Sequence, residues 1–210
     1  MNTYPSIHMK KYQSESPYFR YEKNRIYQVN AGVGMPIYTH QMRKMIEQLD
    51  VMESYHRKVL VVVFNLHLNA YSPDNEIITQ FLRKLRYWLP KHYGIKRLGY
   101  AWCRERNKAA AQHYHVVLML DGSKVQHPSR LLEMLKEYWQ AITFAEEMNK
   151  SGHLHVPDNC FFMLKRGDED LKAEIIYRMS YNAKTYTKQS REGLTNDYGT
   201  SQLKPKQHVT

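Results

Sequence analysis

The sequence predicts an α+β fold with a central antiparallel β-sheet and flanking helices, and three observations lead there. "KVLVVVFNLHLN" (58–69) is β-branched and almost continuously apolar, as a central strand must be. "IKRLGYAWCRER" and "HYHVVLML", joined by the "NKAAAQ" loop, read as an antiparallel hairpin. Segments of helical spacing alternate with these, giving the order β, α, β, β, α, β, α, which suits helices packed on an antiparallel sheet.

Residues 1–38 are polar and tyrosine-rich, with turns at Pro5, Pro17 and "NAGVGMP". They read as an N-terminal extension carrying one short strand near "RIYQV". A helix follows, with Met42, Met45, Ile46, Leu49 and Met52 on one stripe and Thr39 as a candidate cap. After the central strand, Asp74 or Asn75 can cap a second helix built on Ile78, Phe81, Leu82 and Leu85, which Pro90 and Gly94 end. "HPSRLLEMLKEYWQAITFAEEM" is a third helix, capped by Ser129, and "CFFMLK" a short strand. "DEDLKAEIIYRMSYNAKTYTKQ" reads as one last helix with acidic residues in its first turn. The principal domain therefore spans 39–190, and 191–210 is a C-terminal tail.

Composition narrows the function. The 210 residues carry a net charge of +11 and 42% hydrophobic side chains, so a real core accompanies a strong attraction for polyanions. Seventeen tyrosines and three tryptophans interleaved with the basic residues suit stacking on unpaired bases. No apolar run approaches the roughly 20 residues of a membrane span, and the N-terminus lacks a signal-peptide pattern. A cytoplasmic protein without membrane partners is expected. Cys103 and Cys160 have no paired-motif spacing, which gives neither a disulfide framework nor a zinc knuckle.

The hairpin carries the chemistry. His113 and His115 alternate onto one strand face, where two imidazoles can chelate one divalent cation, while Tyr114, Val116, Leu118 and Leu120 take the other. A third ligand comes most naturally from the adjoining strand, which offers Glu105. If Glu105 pairs with His113, their Cβ atoms lie about 5 Å apart. An H-x-H pair is also compatible with a polar strand end that binds nothing. The second such pair, His153 and His155 in "GHLHVPDN", reads as a surface turn because Pro157 follows at once. His67 shares a strand face with Asn65 and Asn69, either bordering the site or facing solvent.

On the last helix Tyr177, Tyr181, Lys184 and Lys188 are spaced for one face, opposite a stripe of Leu171, Ile175, Met179 and Ala183. That face is equally consistent with a solvated Tyr/Lys surface. Candidate phosphate contacts are Arg83, Lys84, Arg86, Lys96, Arg97, Arg104, Arg106 and Lys108, with Lys188 on the helix. Tyr100 and Trp102, opposite Glu105, read as core rather than as base platforms.

"HYH" on a strand and "YNAK" (181–184) downstream resemble the HUH endonucleases, whose signature is His-hydrophobic-His followed by Tyr-x-x-Lys. "YRMSYNAKTYTK" further resembles the replication initiators of inovirus-type phages and related mobile elements, and the likeness spans about residues 58–190. It implies an antiparallel sheet like the RRM palm and a Mg²⁺ or Mn²⁺ ion on His113, His115 and Glu105. Tyr181 would be the nucleophile and Lys184 an assisting cation. Tyr177 sits where some members carry a second tyrosine, although no lysine follows it at the family spacing. The resemblance implies nicking and joining of single-stranded or melted origin DNA in rolling-circle replication. The alternative is a non-catalytic DNA-binding regulator that kept the fold. No G-x-x-x-x-G-K-[ST] loop occurs, so unwinding would need a separate helicase.

Overall fold

The computed structural model describes residues 12–106, 111–145, 152–185 and 196–207. The chain starts with β1 (Gln13–Ser14), β2 (Tyr18–Glu22), β3 (Arg25–Gln28) and β4 (Ile37–Tyr38). β2 pairs with β3, and β1 pairs with β4. There follow α1 (Thr39–Tyr55), β5 (Lys58–His67), α2 (Glu76–Tyr93), β6 (Gly99–Glu105), β7 (His113–Asp121) and α3 (Ser129–Ala145). The chain continues with β8 (His153–His155), β9 (Phe161–Lys165), α4 (Glu169–Ser180), a 3-10 turn (Tyr181–Ala183) and β10 (Tyr198–Thr200).

Six strands form one antiparallel sheet in the order β10-β6-β7-β5, with β9 and β8 sharing the far edge of β5. β5 is central, as its apolar run predicts: residues 59–64 are all buried. Alternation sends Leu60, Val62, Phe64 and Leu66 to one face, where α2 and α3 cover them. Val59, Val61 and Val63 go to the other, under α1 and α4. Each such side chain withdrawn from water contributes about 1.5–3 kcal/mol before the entropy of ordering is charged. α1 rides low on β6 because Gly99 offers no side chain; a Cβ there would fall 2.8 Å from Met52 Cγ.

Several local expectations change. The N-terminal extension packs into the domain: Phe19, Tyr21, Tyr27 and Val29 are buried in the core beneath α1 and α4. Part of the tail, Tyr198–Thr200, adds a strand to the sheet edge beside β6. Tyr38 rather than Thr39 occupies the cap position of α1. At α2 the Glu76 N–H donates to Asp74 Oδ1 at 2.9 Å, and Gly94 ends the helix in the left-handed region with φ 63°. Pro90 lies inside its last turn. Ser129 is the first residue of α3, and its hydroxyl meets His127 Nδ1 instead of capping.

The largest departure is at α4. Its start is as expected, with Asp168 accepting from the Leu171 N–H at 3.1 Å. Its end is not, because the helix stops at Ser180. The Ser180 hydroxyl accepts from the Asn30 N–H at 2.8 Å, Lys184 turns extended and bridges to Ile37, and the Thr185 N–H donates to Pro36 O. Backbone groups that would have continued the helix are satisfied by the N-terminal segment instead. A buried ion cluster ties the same helix to α1, with Lys172 Nζ 2.8 Å from Asp50 and 2.6 Å from Glu53. Burial opposes the lysine's charge, but the bonds it donates to both carboxylates outweigh it and raise its pKa. Among the described residues, no helix is long and apolar enough to cross a membrane.

Candidate metal centre

Three strands in register write the site in rows. Glu105, His113 and His67 form one row across β6, β7 and β5; Cys103, His115 and Asn65 form the next. The expected pairing of Glu105 with His113 is present. β8 lengthens both rows, setting His153 beside His67 and His155 beside Asn65. The second H-x-H pair is therefore an edge strand, not the surface turn its proline suggested.

The ligand atoms of Glu105, His113 and His115 all lie within 4.8 Å of one another. His115 Nε2 is 3.0 Å from Glu105 Oε2 and 3.1 Å from His113 Nε2, and His113 Nε2 is 3.6 Å from the same carboxylate oxygen. Glu105 is only 3% exposed. On its other side His115 Nδ1 meets Asn65 Oδ1 at 2.7 Å, and an amide oxygen can only accept. The proton of neutral His115 therefore sits on Nδ1, which leaves the Nε2 lone pair aimed at the carboxylate and at His113. Such an array of lone pairs repels itself unless a proton or a cation lies between them. The outer partner that fixes a ligand's tautomer is also what metal-binding histidines characteristically have. The three residues fit a divalent cation.

The imidazoles of His153, His67 and His113 stack across the strands, His67 standing 4.4 Å from His153 and 5.1 Å from His113 between ring centroids. Burial, reinforced by the surrounding imidazoles, lowers the His67 pKa to about 4. This ring is neutral at ordinary pH.

The turn after α4 carries Tyr181 to the same place. Its ring lies 5.4 Å from that of His115, edge to face, and a cleft of about 180 Å³ opens between them, lined also by Asn65, Pro157, Arg178 and Asn182. Lys184, 6% exposed, holds its Nζ 4.3 Å from the Tyr181 ring centroid. This contact arises from the tight 3-10 turn, not from the helical face that the spacing implied. Tyr177 is 42% exposed and does not line the cleft.

The expected phosphate contacts divide. Arg104 is withdrawn: it is 7% exposed and holds the 72–75 loop, donating to Ser72 O, Asp74 O and Asn75 Oδ1. It points away from Glu105 because neighbouring positions on a strand alternate. Arg83, Lys84 and Arg86 are exposed on α2, which covers the sheet face opposite the triad. Arg106 lies 4.1 Å from the Tyr71 ring centroid. Lys108 and Lys188 fall outside the described residues. Sequence reasoning missed Arg178 and Asn182 in the cleft; the signal for Arg178 was its place three residues before Tyr181, one helical turn back.

Fold and site together define an α+β sheet protein with a carboxylate and two histidines gathered beside a tyrosine. The chain belongs to the YagK/YfjJ C-terminal domain family, whose model matches residues 18–201. It is similar to the uncharacterized protein YagK of Escherichia coli (strain K12), 25% identical over 111 residues, which cover 49% of this chain and 53% of that protein. The chain thus spans about half the length of this curated relative. No solved structure matches.

Proposed function

We propose that the protein is a metal-dependent, HUH-type endonuclease that nicks and rejoins single-stranded or locally melted DNA, serving rolling-circle replication of a phage or mobile element. The observation that carries this reading is the Tyr181 ring packed 5.4 Å from His115, one of three converging ligands. Mn²⁺, which takes nitrogen as well as oxygen donors, suits two imidazoles and a carboxylate better than the oxygen-seeking Mg²⁺, and a bound ion would supply charge neutralisation at the scissile phosphate. Tyr181 attacks the phosphorus, the bond to the 3′-oxygen breaks, and the phenolic proton is transferred, net, to that oxygen. The products are a 5′-phosphotyrosine and a free 3′-hydroxyl, so the bond is conserved for rejoining. A tyrosine is mostly protonated at neutral pH. The Lys184 ammonium over the ring and Arg178 at the cleft are two cations placed to compensate charge on the transferred phosphate. Glu105, His113 and His115 would hold the ion, with Asn65 keeping His115 in its tautomer. Unwinding is left to a separate helicase.

The test is a denaturation-resistant adduct formed with origin-containing single-stranded DNA and Mn²⁺. Tyr181→Phe should abolish the adduct while DNA binding persists, whereas Tyr177→Phe should leave it in place. Adduct formation by the Tyr181 variant would remove the nucleophile assignment. A wild-type protein that binds the DNA without forming any adduct would be a non-catalytic regulator.

A further inference from the structure

On the other side of the sheet, α2, β6 and β10 enclose a cleft of about 640 Å³, well within the roughly 300–1,000 Å³ of small-ligand sites and much larger than the opening beside Tyr181. Its walls pair charge with aromatic surface. Arg83 and Arg86, one helical turn apart and both exposed, line it from α2. Tyr100 and Trp102, two apart on β6, pack against the core as expected but are only partly buried, and their remaining surface forms the floor of the cleft. Arg86 donates to the Tyr100 hydroxyl at 3.2 Å with its guanidinium 5.5 Å from the ring centroid, while Arg83 has no acidic partner among the described residues. Gly199 faces Trp102 across β10, and a Cβ there would lie 2.7 Å from the indole, so the ring occupies the space a side chain would fill.

We infer that this cleft is a second nucleic-acid subsite, in which an unpaired nucleotide stacks its base on the Trp102/Tyr100 floor and gives its phosphate to Arg83 and Arg86. An indole face accepts any base, and two guanidiniums on one wall match the charge of a backbone. Trp102 and Glu105 lie three residues apart on β6, about 10 Å along the strand and on opposite faces. The inference deepens the reading of this protein as a single-strand binder, but it rests on residues that the cutting reaction does not use.

The experiment measures binding of an oligothymidylate to the full chain in EDTA, by anisotropy of the labelled DNA and by tryptophan fluorescence. The double variant Arg83→Ala/Arg86→Ala should bind at least about tenfold more weakly, with a salt slope shallower by about 1.4, for two lost contacts to a single strand. Trp102→Phe, which preserves packing against Tyr114, should lose most of the DNA-induced quenching. The inference is overturned if the double variant keeps wild-type affinity and slope, if Trp102→Phe retains the quench, or if duplex DNA or thymidine monophosphate competes as well as the oligomer. A failure here alongside a Tyr181 adduct sinks the subsite alone; the expected binding pattern without any adduct sinks the cutting reaction alone.

Discussion

His113–His115 and His153–His155 share one spacing, one sheet face and one register across β5, yet their surroundings differ. The first pair is flanked by β6, which brings Glu105, and by Asn65, which orders the His115 tautomer. The second pair lies on an exposed edge strand, where it meets His67 and Asn65 and where the described residues add no carboxylate ligand to form a triad. Two imidazoles on alternate strand positions thus carry no fixed chemistry. The neighbouring strand decides it.

The comparison can be broken most forcefully at the first pair. Glu105→Gln or His113→Ala should weaken Mn²⁺ binding, read by calorimetry, by more than about a hundredfold, since a primary ligand counts for more than the outer partners whose loss costs 10–100-fold. His153→Ala with His155→Ala should stay within about twofold of wild type. Equal losses from both pairs would show that the ion sits elsewhere on the histidine rows. Asn65→Leu should fall between these, about 10–100-fold, because His115 is then released to either tautomer. Retention of full affinity would end the tautomer argument.

The smallest effect concerns His67, which both pairs touch. An unfolded histidine titrates near 6.5 and this one near about 4, so between those values the unfolded chain binds more protons. The contribution of His67 is fully present above about pH 6.5 and is lost progressively as pH falls toward about 4. Thermal melts in EDTA should show that loss, and His67→Gln should flatten it. An unchanged slope would mean that other groups carry the acid sensitivity.

How much of this was legible depends on the range of the forces involved. Strand alternation and the hairpin loop are local, and they sufficed to pair Glu105 with His113. The end of α4 was not local: "YNAKTYTK" keeps helical spacing, and the chain leaves the helix because Asn30, Pro36 and Ile37 offer competing backbone partners. β8 was hidden for a related reason, since three residues before a proline become a strand only when an edge such as that of β5 is open to them. Residues 18–22 did carry a readable period of two, Phe19 and Tyr21 inward, beneath a polar composition that suggested an appendage.

The anchoring of Ser180 and Lys184 to the first 38 residues bears on where the chain can be cut. A truncated protein starting at Thr39 would lose Asn30, Pro36 and Ile37, which hold the turn after α4, together with the core side chains Phe19, Tyr21, Tyr27 and Val29. Its Tyr181 would lose the tether that sets the ring beside His115, so the opening stretch of the chain is a structural part of the cleft and not a dispensable leader to it.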